Sequence, residues 1–144
     1  MTKDIKTSIK IQASRDQVWK VLMDFEKYPE WNTFITSISG SPKIKEKLKV
    51  SLQGMTFKPL VLVCKNYVEF KWLGHLWIKG LFDGEHRFYL RENADGTTNF
   101  EHSEKFSGVL VKLLAKNIDQ KIKEGFGQMN RELKERVEKM NYRI

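Results

Sequence analysis

The chain has 144 residues, 40% of them hydrophobic and 31% charged, with a formal charge of +8. That length makes one domain, residues 1–144, with enough apolar material for a core, and the composition excludes a fibrous or disordered chain. The longest unbroken apolar run, Leu60 to Cys64, is far too short to span a bilayer.

Residues 1–10 mix lysines with isolated isoleucines, which is no signal-peptide pattern. Cys64 is the only cysteine, so no intrachain disulfide forms, and the expected compartment is the cytoplasm. The basic residues are interleaved with acids, as in Lys43–Ile44–Lys45–Glu46–Lys47–Leu48–Lys49. Nucleic-acid modules instead gather charge on one element beside a motif, so no specific nucleic-acid partner is expected.

Residues 5–11 alternate Ile5, Thr7, Ile9 and Ile11 with Lys6, Ser8 and Lys10, the pattern of a half-buried strand. Ser14 with Gln17 three residues on has capping-box spacing, and Val18, Val21, Leu22 and Phe25 give the helix that follows a buried stripe. Pro29, within Tyr28–Pro29–Glu30–Trp31, bars a simple continuation and predicts a turn or a second short helix. From Phe34 the helical period ends. Ile44, Leu48, Val50 and Leu52 share one parity against lysines 45, 47 and 49, which predicts a strand with a wet outer face. Gln53–Gly54 reads as a turn, Phe57 to Cys64 as a strand, Lys65–Asn66 as another turn and Tyr67 to Leu73 as the next strand. Gly80 and Gly84 read as bends or bulges in a curved strand.

Leu81 to Phe106 reads as a hairpin around Asn93–Ala94–Asp95–Gly96. A three-residue loop, Ala94–Asp95–Gly96, sets Gly96 where a left-handed conformation is needed. It pairs Leu90 with Phe100, Phe88 with His102 and His86 with Glu104 on one face. Glu85 with Lys105, Arg87 with Ser103 and Tyr89 with Glu101 then share the other face, which is solvated. A two-residue loop would shift the register by one and mix the faces.

The last third, Val109 to Met140, places Val111, Leu114, Ile118, Ile122, Phe126, Met129, Leu133, Val137 and Met140 on one helical face. A helix of that length has no comparable partner helix in this chain, so it lies on a sheet. Strands joined by short turns, with helices segregated from them, make an α+β fold.

In that order the chain resembles the START-like superfamily (SRPBCC, also called the helix-grip or birch-allergen fold), and within it the polyketide cyclase/dehydratase-like branch. The residues that carry the likeness are Ala13–Ser14, Val18–Trp19, Asp24–Phe25, Tyr28–Pro29–Glu30–Trp31–Asn32, Gly80–Leu81–Phe82–Asp83–Gly84–Glu85–His86, His102–Ser103–Glu104, Phe106–Ser107–Gly108, Gly125–Phe126 and Met129–Asn130. The resemblance implies a curved seven-stranded antiparallel sheet gripping the C-terminal helix, with one or two short helices after the first strand. A cavity between sheet and helix would take a small apolar or amphipathic molecule. Phe70, Trp72, Phe82, Phe88, Phe100, Ile118, Ile122 and Phe126 are the expected lining, with His86, His102 and Glu104 as polar groups. Lining this bulky implies a small cavity, or one shaped for a flat aromatic guest.

His86, His102 and Glu104 are the candidate acid–base groups, because a carboxylate beside an imidazole in a partly dry site can hold or pass a proton. Against this stands a plain structural reading, in which Glu104 and His86 satisfy each other as a buried cross-strand pair. Without a His-x-x-x-His pair or a second cysteine, neither a metal nor a cofactor is expected. Ser103 and His102 are strand neighbours pointing to opposite faces, so they make no nucleophile. His75 reads as a surface or rim residue. Trp19 and Trp31 read as fold-stabilising, and Trp72 as the better pocket residue. Gly125 and Gly127 interrupt the long helix, as a bend that works a lid or as points of close packing.

Two functions follow. The first is a carrier or sensor of a small hydrophobic or aromatic molecule (a lipid, a polyketide-like compound or another metabolite). The second is a cyclase/aromatase-type enzyme in which His86 and Glu104 act as acid and base. A third comes from family members that bind quinones near membranes, where a basic surface would assist docking. Nothing in the sequence fixes the oligomeric state.

Overall fold

The computed structural model describes residues 2–76, 82–109 and 111–141, without the side chains of Leu76, Phe82, residues 112–118 and Asn141. Strand β1 (Thr2–Ile11) leads into α1 (Arg15–Leu22), a 3-10 turn (Phe25–Lys27) and α2 (Tyr28–Trp31). Among the described residues seven more strands follow: β2 (Ile35–Ser39), β3 (Lys49–Leu52), β4 (Met55–Phe57), β5 (Leu60–Lys65), β6 (Glu69–Leu76), β7 (Phe82–Glu92) and β8 (Thr98–Ser107). Helix α3 (Val111–Asn141) closes the chain.

The strands form a five-stranded antiparallel sheet, ordered β1-β8-β7-β6-β5, and a three-stranded one, ordered β2-β3-β4. Helix α3 runs along β1 and β8, and α1 packs against it. The layout is the helix grip. Among the described residues, however, the strands number eight in two sheets rather than seven in one.

The difference lies in the segment before β3. Residues 45–48 bond to β5 rather than extending β3: Lys45 N–H donates to Val61 C=O (2.9 Å), Val61 N–H to Glu46 C=O (2.9 Å) and Leu48 N–H to Pro59 C=O (2.9 Å). This segment therefore connects the β5 edge of the larger sheet to β3, the central strand of the smaller one. The strand expected over 44–52 is correspondingly only Lys49–Leu52, and the one expected over 57–64 is divided between β4 and β5 at Lys58–Pro59. β2 had no expectation at all, since Ile35–Thr36–Ser37–Ile38–Ser39 is too short and hydroxyl-rich to show a clear period.

Local chemistry starts each element where it starts. The Ser14 hydroxyl accepts from Gln17 N–H while the Gln17 side chain accepts from Ser14 N–H, a complete capping box. Pro29 sits in the first turn of α2, where its missing N–H costs nothing. Asn32 Oδ1 then accepts from Phe34 N–H (3.0 Å) and Ile35 N–H (2.8 Å), which turns the chain into β2. The corner is tied to α3 by Arg136 with Glu30 (2.8 Å) and by Thr33 with Glu132. Trp19 and Trp31 are buried in the core, as fold-stabilising residues would be.

The β7–β8 hairpin adopts the three-residue-loop register, pairing Leu90 with Phe100, Phe88 with His102 and His86 with Glu104. Gly96 has φ +86°, and Asn93 N–H donates to Thr97 C=O (2.8 Å) across the loop. One parity of this hairpin is buried aromatic surface and the other is charged.

Candidate functional site

The inward face of β7 and β8 carries a continuous line of hydrogen bonds running from Glu104 to α3. Glu104 Oε1 lies 2.6 Å from His86 Nδ1, and His86 Nε2 lies 2.7 Å from His102 Nε2. His102 Nδ1 is 2.9 Å from Asn130 Oδ1 on α3. The Asn130 amide donates to the Thr7 hydroxyl (2.8 Å), which donates to the His102 carbonyl (2.9 Å) and closes the line on β1. Register explains the assembly. Cross-strand pairing places His86 opposite Glu104 and Thr7 opposite His102, so β8 presents two polar side chains at successive inward positions, one level with β7's His86 and the other with β1's Thr7.

Aromatic rings close on this line. Phe126 stacks on His102 with centroids 4.0 Å apart and planes 13° from parallel, and Trp72 stacks on His86 at 4.8 Å and 23°. Phe88 lies 4.8 Å from His102 and 4.9 Å from His86, and Phe34 packs edge-on to Phe126. Phe70, Trp72, Phe88, Phe100 and Phe126 are all fully buried, so at this level they fill the space between sheet and helix with one another. His86 is 1% and His102 0% exposed. The Glu104 side chain retains 16% accessibility, although it shares their face. Ile122, one helical turn before Phe126, is partly buried against the same core. The side chains of Phe82 and Ile118, both expected in the lining, lie outside the described residues, as do Trp77 and Gly80.

Burial holds the His102 imidazole well below the usual histidine range, and the neighbouring His86 lowers it further. The Asn130 amide and the Phe126 carbonyl beside the ring act in the opposite sense, because both accept a proton from it. Burial therefore favours the neutral form of the His102 ring. Each of its nitrogens, and each of those of His86, already faces a partner.

Glycine makes room for the outer end of the line. A β-carbon at Gly84 would lie 2.2 Å from Glu104 Oε2, so the carboxylate rests over the bare backbone of β7. Pairing with β6 and β8 runs through Gly84 without a shift in register. Gly84 is thus a seat for Glu104, and of the bend or bulge expected from the sequence the bulge is absent. Gly125 has a similar origin, since a β-carbon there would meet Phe34 Cε1 at 2.4 Å and α3 continues unbroken through the position. Close packing accounts for Gly125 without a lid.

Sequence reasoning missed two members of the line. Asn130 stands between apolar stripe positions of a long helix and enters the sequence reading only through the Met129–Asn130 pair of the family likeness, with no site role. Thr7 reads only as a small residue on the buried side of β1. His75 pairs with Asp83 across β6 and β7 (Nδ1 to Oδ1, 2.6 Å) and is partly exposed, apart from this line. Among the described residues no group of three His, Cys, Asp or Glu side chains converges as metal ligands, and no helix is long and apolar enough to cross a membrane.

The fold is shared with structures of low sequence identity. A START superfamily protein from Mycobacterium smegmatis superposes with a TM-score of 0.76 at 17% identity, covering 95% of this chain and 98% of that one. A point mutant of norcoclaurine synthase from Thalictrum flavum, in complex with a transition-state analogue, gives 0.74 at 13% identity over 98% and 97%. The di-domain ARO/CYC StfQ from the steffimycin biosynthetic pathway gives 0.74 at 11% identity over 98% of this chain and 52% of that one. No curated protein sequence matches the chain significantly. The profile of the family described as polyketide cyclase / dehydrase and lipid transport matches residues 2–138, nearly the whole length, and the chain belongs to that family.

Proposed function

We propose that this chain holds a small hydrophobic or aromatic molecule between the five-stranded sheet and α3, as a carrier or sensor in the cytoplasm. Glu104 is the polar contact. One observation carries the reading: the Glu104 carboxylate faces inward among buried aromatics and still retains 16% accessibility, while the histidines behind it have essentially none. A concave, mostly apolar site with one polar group that fixes orientation is the common form of a small-molecule pocket. The family description, which includes lipid transport, supports the same reading, and the free thiol of Cys64 suits a reducing compartment.

Calorimetric titration with 2-naphthol tests it. Saturable binding is expected, and Ile122→Trp, which adds bulk one turn from Phe126, is expected to abolish it while leaving the far-ultraviolet spectrum unchanged. No binding by the parent chain, or equal binding by the filled variant, overturns the reading.

A cyclase/aromatase-type enzyme is the second reading, favoured by the 2.6 Å approach of His86 to Glu104. Such a pair can take a proton alpha to a ketone and return one to oxygen. Deuterium uptake by 2-tetralone in heavy water reports that step. Loss of exchange with affinity retained in His86→Ala supports an enzyme, whereas equal loss of affinity makes His86 part of a binding site.

A further inference from the structure

We propose that Asn130 and Thr7 lock the tautomers of both buried histidines, so that the site offers Glu104 Oε2 as a lone acceptor and selects a ligand whose polar end is an uncharged O–H or N–H donor. The inference deepens the binding reading above and rests on it for the ligand.

The Thr7 hydroxyl gives its proton to the His102 carbonyl and can only accept from Asn130, so the Asn130 amide nitrogen is turned toward Thr7 and its oxygen toward His102. His102 Nδ1 must then carry a hydrogen. A neutral imidazole with a hydrogen on Nδ1 has a bare Nε2, and that atom faces His86 Nε2 at 2.7 Å, which must therefore donate. With its Nε2 hydrogen committed, His86 meets Glu104 Oε1 through Nδ1, and one proton lies between them. Whichever of the two holds that proton, the pair is neutral overall.

Selectivity follows from what is left over. Glu104 Oε2 has no hydrogen-bond partner among the described residues, and it is an acceptor. A ligand carboxylate or phenolate would meet only lone pairs, because both imidazoles are fully engaged. A ligand ammonium would lose its hydration to a pair of zero net charge, which does not compensate a buried ion. An uncharged hydroxyl or amide N–H incurs neither cost. Asn130 is thus a positioning residue, acting on the ligand through two rings.

Two measurements test this. Long-range proton–nitrogen NMR correlations of the histidine rings distinguish the tautomers: a hydrogen on Nδ1 of His102 and on Nε2 of His86 is expected, and the reverse placement overturns the lock. Titration with 2-naphthol, 2-methoxynaphthalene and 2-naphthoate tests selectivity: the naphthol is expected to bind about tenfold tighter than either of the others, the size of one good hydrogen bond to a carboxylate. Equal binding of naphthol and its methyl ether, or tighter binding of naphthoate, refutes the selectivity. Binding of none of the three refutes the container reading and the selectivity together, while the NMR result still judges the lock. Asn130→Leu is expected to mix the His102 tautomers and to erase the preference. If that variant does not fold, Thr7→Val, which releases the amide while keeping the shape, should reproduce the tautomer mixing. An unchanged tautomer in the variant that folds removes both residues from the role.

Discussion

The Nε2 atoms of His86 and His102 lie 2.7 Å apart in a site where both rings are buried, so one must donate and the other accept. A second proton on His102 would set two N–H groups against each other. Burial and the proximity of His86 hold its proton affinity below that of an unfolded histidine, so the unfolded chain binds more protons there than the folded one. This part of the stability is complete above about pH 6.5 and declines as pH falls below that value, with a slope approaching about 1.4 kcal/mol per pH unit. Urea midpoints measured from pH 7.5 to 5 should fall, and His102→Gln should flatten the curve. Asp95 titrates in a separate window. The Thr97 hydroxyl and N–H, and Lys10, hold its carboxyl down at about 2, so its contribution is lost only as pH falls below about 4.

Gly84→Ala places a methyl group where Glu104 Oε2 now sits, and the carboxylate is the part free to move. Displacement leaves the buried His86 Nδ1 without its partner, which costs about 1–3 kcal/mol. The urea midpoint should fall accordingly, and 2-naphthol affinity should drop about tenfold with it. An unchanged midpoint and affinity would show that the strand backbone does not have to stay bare there.

The two helix glycines should respond in opposite directions. At Gly127 a β-carbon meets only the Arg131 guanidinium at 3.3 Å, so Gly127→Ala should stabilise by about 0.5–1 kcal/mol through helix propensity. At Gly125 it meets the packed ring of Phe34 at 2.4 Å, and overpacking of about 1–3 kcal/mol outweighs the same gain. Chemical denaturation of the pair decides it, and equal stabilisation of both would remove the close contact with Phe34.

Removal of the Ser14 hydroxyl should cost about 1 kcal/mol, since it leaves Gln17 N–H uncapped at the start of α1. A Ser14→Ala variant with unchanged thermal midpoint would mean that the helix start is held by packing of Val18 and Trp19 alone.

The sequence by itself determined the elements whose chemistry is local or periodic. Strict alternation identified β1, a Ser–Gln spacing began α1, gaps of three and four marked α3, and Gly96 with its loop fixed the hairpin register that brings His86 opposite Glu104. Each of those signals lies within a few residues of the feature it specifies. Tertiary structure decided what depends on residues distant in the chain. The short extent of β3 turned on whether residues 45–48 extended it or bonded to β5, and both choices satisfy the same lysine–apolar alternation. The tautomer line needed Thr7 and Asn130, 123 positions apart, to meet on one amide. Hydrogen-bond direction is a property of that meeting, and neither residue carries it alone.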